Sequence, residues 1–295
     1  MTTETLTQPH ATTAAPVLTT TMLNVDAGAF MLDVEQAAAA GTALHQRYAN
    51  AEPFPHIILD NFIDGALLRS LLDEWPSSGE RIGYERSQER LKFEWQPVNL
   101  HTPRLRAFLS EMISVPMLRF LENMTSIPKL IADPHFIGGG LHETRAGGHL
   151  GVHADFNIHK PMNVLRRINL LIYLNDDWAP EWNGALELWT RDMSRKVHSA
   201  LPLMGRAVVF NTDLDSFHGV PDPIACPPDR ARRSIALYYY TAPEAGLDAV
   251  PDRTTVFKPR PGSQDKTDWQ VMRRHMLADW IPPVVYRALR GNPKS

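Results

Sequence analysis

Residues 147–155 read GGHLGVHAD, and residues 211–221 read NTDLDSFHGVP. The first stretch decides the fold. Its run closes as an extended strand, in which His153 and Asp155, two positions apart, project to one face while Ala154 points away. The second supplies His218 after a further apolar run at 206–211, with Gly219-Val220-Pro221 expected to fix a turn behind it. Two imidazoles and one carboxylate form the ligand set that holds a non-haem Fe(II) on one face and leaves the opposite positions open. His153, Asp155 and His218 are therefore the candidate metal-binding and catalytic residues.

A His-x-acid pair is common by itself. With 12 His and 33 acidic residues in 295 positions, about one instance arises by chance. The weight rests on context, because both halves of the triad fall where the hydrophobic period is two. Short β-like runs at 131–143, 149–155, 166–175, 185–189, 206–211 and 233–241 are punctuated by Gly, Pro, Asn and Asp, the pattern of an all-β barrel or sandwich.

Outside this region the period is helical. Residues 1–25, rich in Thr and Ala, are expected to be a disordered tail. Residues 26–130 read as helical support with the first strands: a helix over 32–48, a strand over 56–60, a helix capped by Asp64 and running to Trp75, and a helical stretch over 104–124. Residues 131–242 are the core, and 243–295 an extension ending in a helix over 269–280. The expected fold is mainly β with flanking helices.

Composition narrows the partners. A chain of 295 residues with 43% hydrophobic content can bury one elaborated core. A net charge of −3 without a basic block argues against nucleic acid and against an anionic membrane, so a small-molecule substrate is expected. Cys226 is the only cysteine, which suits a reducing compartment where ferrous iron persists. No basic residue precedes Arg47 and no apolar stretch is long enough to span a bilayer, so the expected location is cytoplasmic.

Five consecutive blocks, GGGLHETRAGGHLGVHADFN, RRINLLIYLNDDW, GALELW, FHGVP and RRSIALYYYT, resemble the bacterial branch of the prolyl-4-hydroxylase-like 2-oxoglutarate and Fe(II)-dependent oxygenases. The likeness covers roughly residues 52–242. It implies a double-stranded β-helix, or jelly roll, with N-terminal and C-terminal helical additions, and an iron at the open mouth. It also implies use of Fe(II), 2-oxoglutarate and O2, with ascorbate as a stimulant, and hydroxylation of an unactivated C–H bond of a small-molecule or amino-acid-like substrate with release of succinate and CO2. One departure is Asn183-Gly184, where relatives often carry paired glycines. Asp155 stands where related halogenases have a small residue, which favours hydroxylation.

A dicarboxylic cosubstrate needs a cation for its far carboxylate, the task suited to arginine's planar fork. Arg232 and Arg233 are the candidates. Alternation puts Arg232, Ser234, Ala236 and Tyr238 on one face and Arg233, Ile235, Leu237 and Tyr239 on the other, and the first, polar then small, fits a pocket better; a shift of one residue reverses the choice. Tyr173 resembles the tyrosine with which relatives hydrogen-bond the same carboxylate; it shares a face with Asn169 and Leu171, and Asn169 and Ser234 join the expected cosubstrate-binding set. Arg166, Arg167, Trp178, Trp182 and Trp189 lie near the mouth in sequence order. His149 reads as a mouth residue, and His142, His159 and His198 as surface or packing residues. Residues 79–97 could form a lid or a solvated loop. Two other readings stay open: a cupin-like enzyme using another metal, and a protein or peptide side-chain hydroxylase or oxygen sensor.

Overall fold

The computed structural model describes residues 21–77, 81–100, 102–244 and 252–265. The alanine-rich run folds as α1, Val34–Ala49, whose N-cap Asp33 accepts a hydrogen bond from the Gln36 N–H. Asp64 caps α2, Gly65–Leu72, in the same way through Leu67. That helix stops at Leu72, short of the expected Trp75. The helix expected over 104–124 is two, α3 (Pro103–Met112) and α4 (Val115–Thr125). Pro116 explains the break: it lies in the first turn of α4, where its missing N–H costs no hydrogen bond.

Among the described residues thirteen strands form one antiparallel, nearly closed sheet, consistent with the expected jelly-roll core. They are β1 (His56–Leu59), β2 (Ile82–Glu85), β3 (Glu89–Trp95), β4 (Ile131–Ala132), β5 (Gly140–Ala154), β6 (Ile158–His159), β7 (Val164–Tyr173), β8 (Leu186–Trp189), β9 (Lys196–Ala200), β10 (Ala207–Asn211), β11 (His218–Val220), β12 (Ala231–Thr241) and β13 (Val256–Phe257). The main path runs β1-β10-β7-β12-β5-β11-β8-β9. The runs expected at 131–143 and 149–155 are largely one long strand, β5, preceded by β4. The hairpin β2–β3 and the strand β9 lack strict alternation and were not expected.

β5 belongs to both halves of the barrel. Residues 140–145 pair with β12, whereas Leu150 and His153 pair with β11. The change of direction sits at Gly147-Gly148. Gly147 has φ 82, and a Cβ on Gly148 would meet the Arg145 and Arg90 carbonyl oxygens at 2.8 Å. Alternation then sorts the two faces of the main sheet. Ile168, Leu170 and Ile172 of β7 and Ile235, Leu237 and Tyr239 of β12 pack with Leu105, Phe108 and Phe120 of the helices in one core cluster. Asn169, Leu171, Arg232, Ser234 and Tyr238 face the interior cavity.

The expected tail is partly structured. Residues 1–20 lie outside the described residues, but Leu23 and Val25 are buried, and the Leu23 N–H donates to the Phe62 carbonyl at 3.0 Å. The helix expected over 269–280 also lies outside the described residues. Within the C-terminal extension, β13 adds to the barrel by pairing with Ala154 and His153 of β5. No helix among the described residues is long and apolar enough to cross a membrane.

Candidate active site

His153 lies near the end of β5, and His218 is the first residue of β11, directly opposite it in register. His218 thus opens a strand rather than the expected turn. Gly219 permits the approach, since a Cβ there would sit 2.8 Å from the Gly151 carbonyl oxygen and from Val152 Cα. Asp155 follows β5. The ligand atoms of His153, Asp155 and His218 lie within 4.8 Å of one another. His153 Nε2 is 3.6 Å from Asp155 Oδ1, and His218 Nε2 is 3.5 Å from Asp155 Oδ2.

Whether these residues fit a metal turns on their free lone pairs. Each imidazole Nδ1 faces the carbonyl oxygen two residues earlier, Gly151 for His153 and Ser216 for His218, both at 2.9 Å. With Nδ1–H donating to that carbonyl, both Nε2 lone pairs are left for a shared cation, and the carbonyls fix the tautomer and ring orientation. Burial, then the neighbouring His153, pushes His218 down to about 4, so its imidazole is neutral, as a metal ligand must be. Burial by itself would raise Asp155, but Arg166 beside it at 3.2 Å, with the two histidines, holds it well below the usual carboxylate range. The set fits a divalent metal.

The carboxylate is held by a second layer of contacts. Asn169 Nδ2 donates to Asp155 Oδ2 at 2.8 Å, and Arg166 donates from Nε and Nη2 to Asn169 Oδ1 at 3.0 and 2.7 Å. The Arg166 guanidinium lies 3.5 Å from the centre of the Tyr238 ring and 4.6 Å from that of Phe156. Arg166 and Asn169 have opposite parity, so simple alternation would separate them. A register shift opposite Tyr239 and Tyr240 turns Arg166 inward, and no sequence pattern announces it.

Arg232 lies in the same cavity, of about 280 Å3, as the triad and Ser234. Its Nε donates to the Gly184 carbonyl at 2.7 Å and its Nη2 to Tyr173 Oη at 3.3 Å. Arg232 is 7% exposed, burial lowers its pKa, and among the described residues no carboxylate pairs with it. A buried guanidinium without a counterion is a receptor for an incoming carboxylate. Arg233 lies on the opposite face, paired with Glu143 Oε2 at 3.1 Å and stacked near Trp75. The Asn183-Gly184 segment takes two successive positive φ values, 58 and 80, and Asn183, with ψ −147, lies outside αL in a region that favours the glycine relatives often carry there. It delivers the Gly184 carbonyl to Arg232.

Asn169, expected beside the cosubstrate, is placed instead on Asp155. It shares a face with Tyr173, but four residues of strand separate the two by about 13 Å, so they serve opposite ends of the cavity. Of the residues expected near the mouth, Arg166 lines the cavity. Arg167 instead donates to Thr241, Trp178 packs edge-on against Trp182, and Trp189 donates to Glu187. Phe257 of β13 lines it too, 5.3 Å ring to ring from His153, and so do His142 and several residues of the β2–β3 hairpin, so His142 is no mere packing residue. His149 faces the Ser87 carbonyl, and His159 is buried beside Tyr240, as a packing residue would be.

Comparison with known proteins agrees with this geometry. The family model of the 2OG-Fe(II) oxygenase superfamily matches residues 139–240. A search of curated protein sequences gives no match. Among solved structures, a prolyl-4-hydroxylase from Pseudomonas putida is similar with a TM-score of 0.50 and 18% identity, over 69% of this chain and 100% of that one. A Trichoplax adhaerens prolyl hydroxylase in complex with a hypoxia inducible factor oxygen degradation domain peptide fragment gives 0.48 and 17%, over 70% and 91%. HygX from Streptomyces hygroscopicus, with nickel and 2-oxoglutarate bound, gives 0.44 and 11%, over 63% and 82%. Residues 139–240 of this chain are thus similar to the 2OG-Fe(II) oxygenase superfamily, and the His-Asp-His set and Arg232 all lie within that match.

Proposed function

We propose that the chain is a dioxygenase that hydroxylates an unactivated C–H bond of a small polar molecule. In this reading His153, Asp155 and His218 hold Fe(II), and Arg232, with Tyr173 and Ser234, binds the far carboxylate of 2-oxoglutarate. The observation that carries it is the buried Arg232, unpaired with any carboxylate among the described residues, in one cavity with a His-Asp-His set.

Bound iron and cosubstrate supply the oxidising power, with 2-oxoglutarate leaving as succinate and CO2. The residues of the chain do the rest. Arg166 and Asn169 keep Asp155 ionised and aimed, the Gly151 and Ser216 carbonyls orient the imidazoles, and Phe156 and Phe257 wall the site against water. A cavity of about 280 Å3 whose walls carry Lys92, Glu94 and Arg86 suits a small charged substrate. A cytoplasmic location belongs to the same reading, supported by a lone, buried cysteine.

The test is an anaerobic titration of 2-oxoglutarate into the Fe(II)-loaded protein, followed by exposure to oxygen. Saturable binding and stoichiometric succinate are expected. If no succinate forms, and Zn(II) co-purifies stoichiometrically and supports an oxygen-free reaction, the proposal is wrong.

A further inference from the structure

The hairpin β2–β3 lies outside the residues that match the family, and it contributes an ionic wall to the cavity. Tyr84, Arg86, Glu89, Lys92 and Glu94 all line it. Regular alternation would put residues 89, 91 and 93 on one face. Leu91 has φ 49, and the pairing with β5 shifts register between Arg90 and Lys92. This bulge brings Glu89, Lys92 and Glu94 to the same side.

Within the wall the charges satisfy one another incompletely. Lys92 Nζ donates to Glu89 Oε1 at 2.9 Å and to Glu94 Oε1 at 2.5 Å, and Tyr84 Oη donates to Glu94 Oε2 at 3.0 Å. Two buried carboxylates therefore share one ammonium, which leaves one negative charge in excess. Opposite Glu94 in register stands His142, 8% exposed. Its Nε2 has no hydrogen-bond partner among the described residues, the nearest polar atom being Glu94 Oε1 at 3.5 Å. Burial pushes His142 down to about 4, so the ring is neutral and Lys92, not His142, balances Glu94. A backbone hydrogen bond to Gly138 engages the other ring nitrogen, so Nε2 presents a lone pair. The His142 lone pair thus faces a carboxylate oxygen whose donor is Lys92, and itself lacks a donor.

That arrangement asks for a cationic donor. At the rim of the same wall Arg86 is exposed and has no ion pair among the described residues, so it is available to an anion. A ligand that complements both has an ammonium at one end and a carboxylate at the other. A peptide bond, neutral on both sides, would leave the buried charges uncompensated, and a site built around charged partners rejects an analogue lacking them.

We propose that the Glu89–Lys92–Glu94 wall, with His142 and Arg86, is the substrate-recognition site and selects a free amino acid or similar small zwitterion. The substrate ammonium docks between Glu94, Glu89 and His142 Nε2, and its carboxylate reaches Arg86. The inference rests on the oxygenase reading above.

The test uses the full-length protein loaded with Mn(II) and 2-oxoglutarate without oxygen, titrated calorimetrically with the twenty free L-amino acids and with the N-acetyl and amide derivatives of any that bind. At least one free amino acid should bind saturably, and removal of either charge should weaken it about tenfold or more. Glu94→Gln, which preserves shape, should weaken the same ligand at least about tenfold. Arg86→Ala, at an exposed position, should abolish discrimination between the free acid and its amide. The inference is overturned if no free amino acid binds, if neutral derivatives bind as well, or if both variants bind as wild type does. Binding of 2-oxoglutarate to the Mn(II) protein, measured first, reports separately on the underlying reading: its loss would sink that reading, whereas its retention without amino-acid binding would sink this one alone.

Discussion

The cavity has two unlike walls. On β5, β7, β11 and β12 the groups are arranged for visitors: two imidazole lone pairs converge with the Asp155 carboxylate, and Arg232 is a buried cation with no carboxylate beside it among the described residues. On β2–β3 the charges are largely satisfied by one another through Lys92. Under the proposed function the first wall commits the protein to a particular chemistry, because its buried groups would gain full partners from metal and cosubstrate. The second can exchange one ion pair for another, which is how a site discriminates among substrates without altering the reaction.

The contrast predicts a descending series of effects. His218→Ala should break the committed wall most severely. Losing a contact that merely orients a ligand costs ten- to hundredfold in metal affinity, so losing the ligand should cost more than about a hundredfold. Metal analysis after dialysis against Fe(II) and succinate assay should both show the loss, with the melting temperature little changed; normal turnover would sink the triad.

Next comes the cosubstrate arginine. Removing a buried charge-assisted contact costs about 2 to 4 kcal/mol, so Arg232→Ala should weaken 2-oxoglutarate by roughly thirtyfold to a thousandfold. Arg233→Ala, which removes a half-exposed pair with Glu143, should change it less than about threefold. The reverse ranking, read by titration, would mean the guanidinium nearest the cosubstrate has been misidentified.

Asn169→Ala should act on the metal and spare the cosubstrate. It deletes a 2.8 Å hydrogen bond to Asp155, so Fe(II) affinity should fall about tenfold while 2-oxoglutarate affinity at saturating metal stays within about twofold. Equal losses in both would restore Asn169 to the cosubstrate end.

The last effect, read in stability rather than affinity, tests the exchangeable side. His142 faces Glu94, Lys92 and Arg232 and is pushed down to about 4. Its folded pKa lies below the unfolded value of about 6.5, so the unfolded chain binds the proton first. The apo protein should therefore be fully stable at this site above about pH 6.5 and lose stability as pH falls toward 4, by up to about 1.4 kcal/mol per pH unit. His142→Gln should flatten that acid limb in denaturant melts at a series of pH values. An unchanged limb would show that His142 is not buried in its neutral form.

The sequence disclosed the first wall far better than the second, and for a physical reason. His153 and Asp155 sit on a strand whose period survives to its end, and Arg232, Ser234 and Tyr238 keep theirs, so alternation alone assigns their face. Arg166 and the trio Glu89, Lys92 and Glu94 depend on bulges, which invert parity without leaving a compositional mark. His142 was hidden differently: it follows regular alternation on β5, but its meaning comes from Glu94, 48 positions earlier, which only pairing brings alongside. The start of α2 was legible because Asp64 caps it, whereas the alanine-rich run reads as starting at residue 32, before the Asp33 cap, and Pro116 restarts a helix that hydrophobic spacing reads as continuous.

The bulge at Leu91 has a consequence for how such an enzyme can diversify. Deleting Leu91 would leave Glu89, Lys92 and Glu94 on one face of a regular strand, whereas a one-residue slip of β3 along β5 would present Arg90 and Phe93 to the cavity in their place, a wholesale change of vocabulary achieved without substituting any residue that faces it now. β5 would keep its partners on the other edge, because β12 and β11 hold it independently of the hairpin. A lineage carrying this architecture could thus acquire a new diet through a slip of a peripheral ribbon, with the residues on β5, β7, β11 and β12 inherited unaltered.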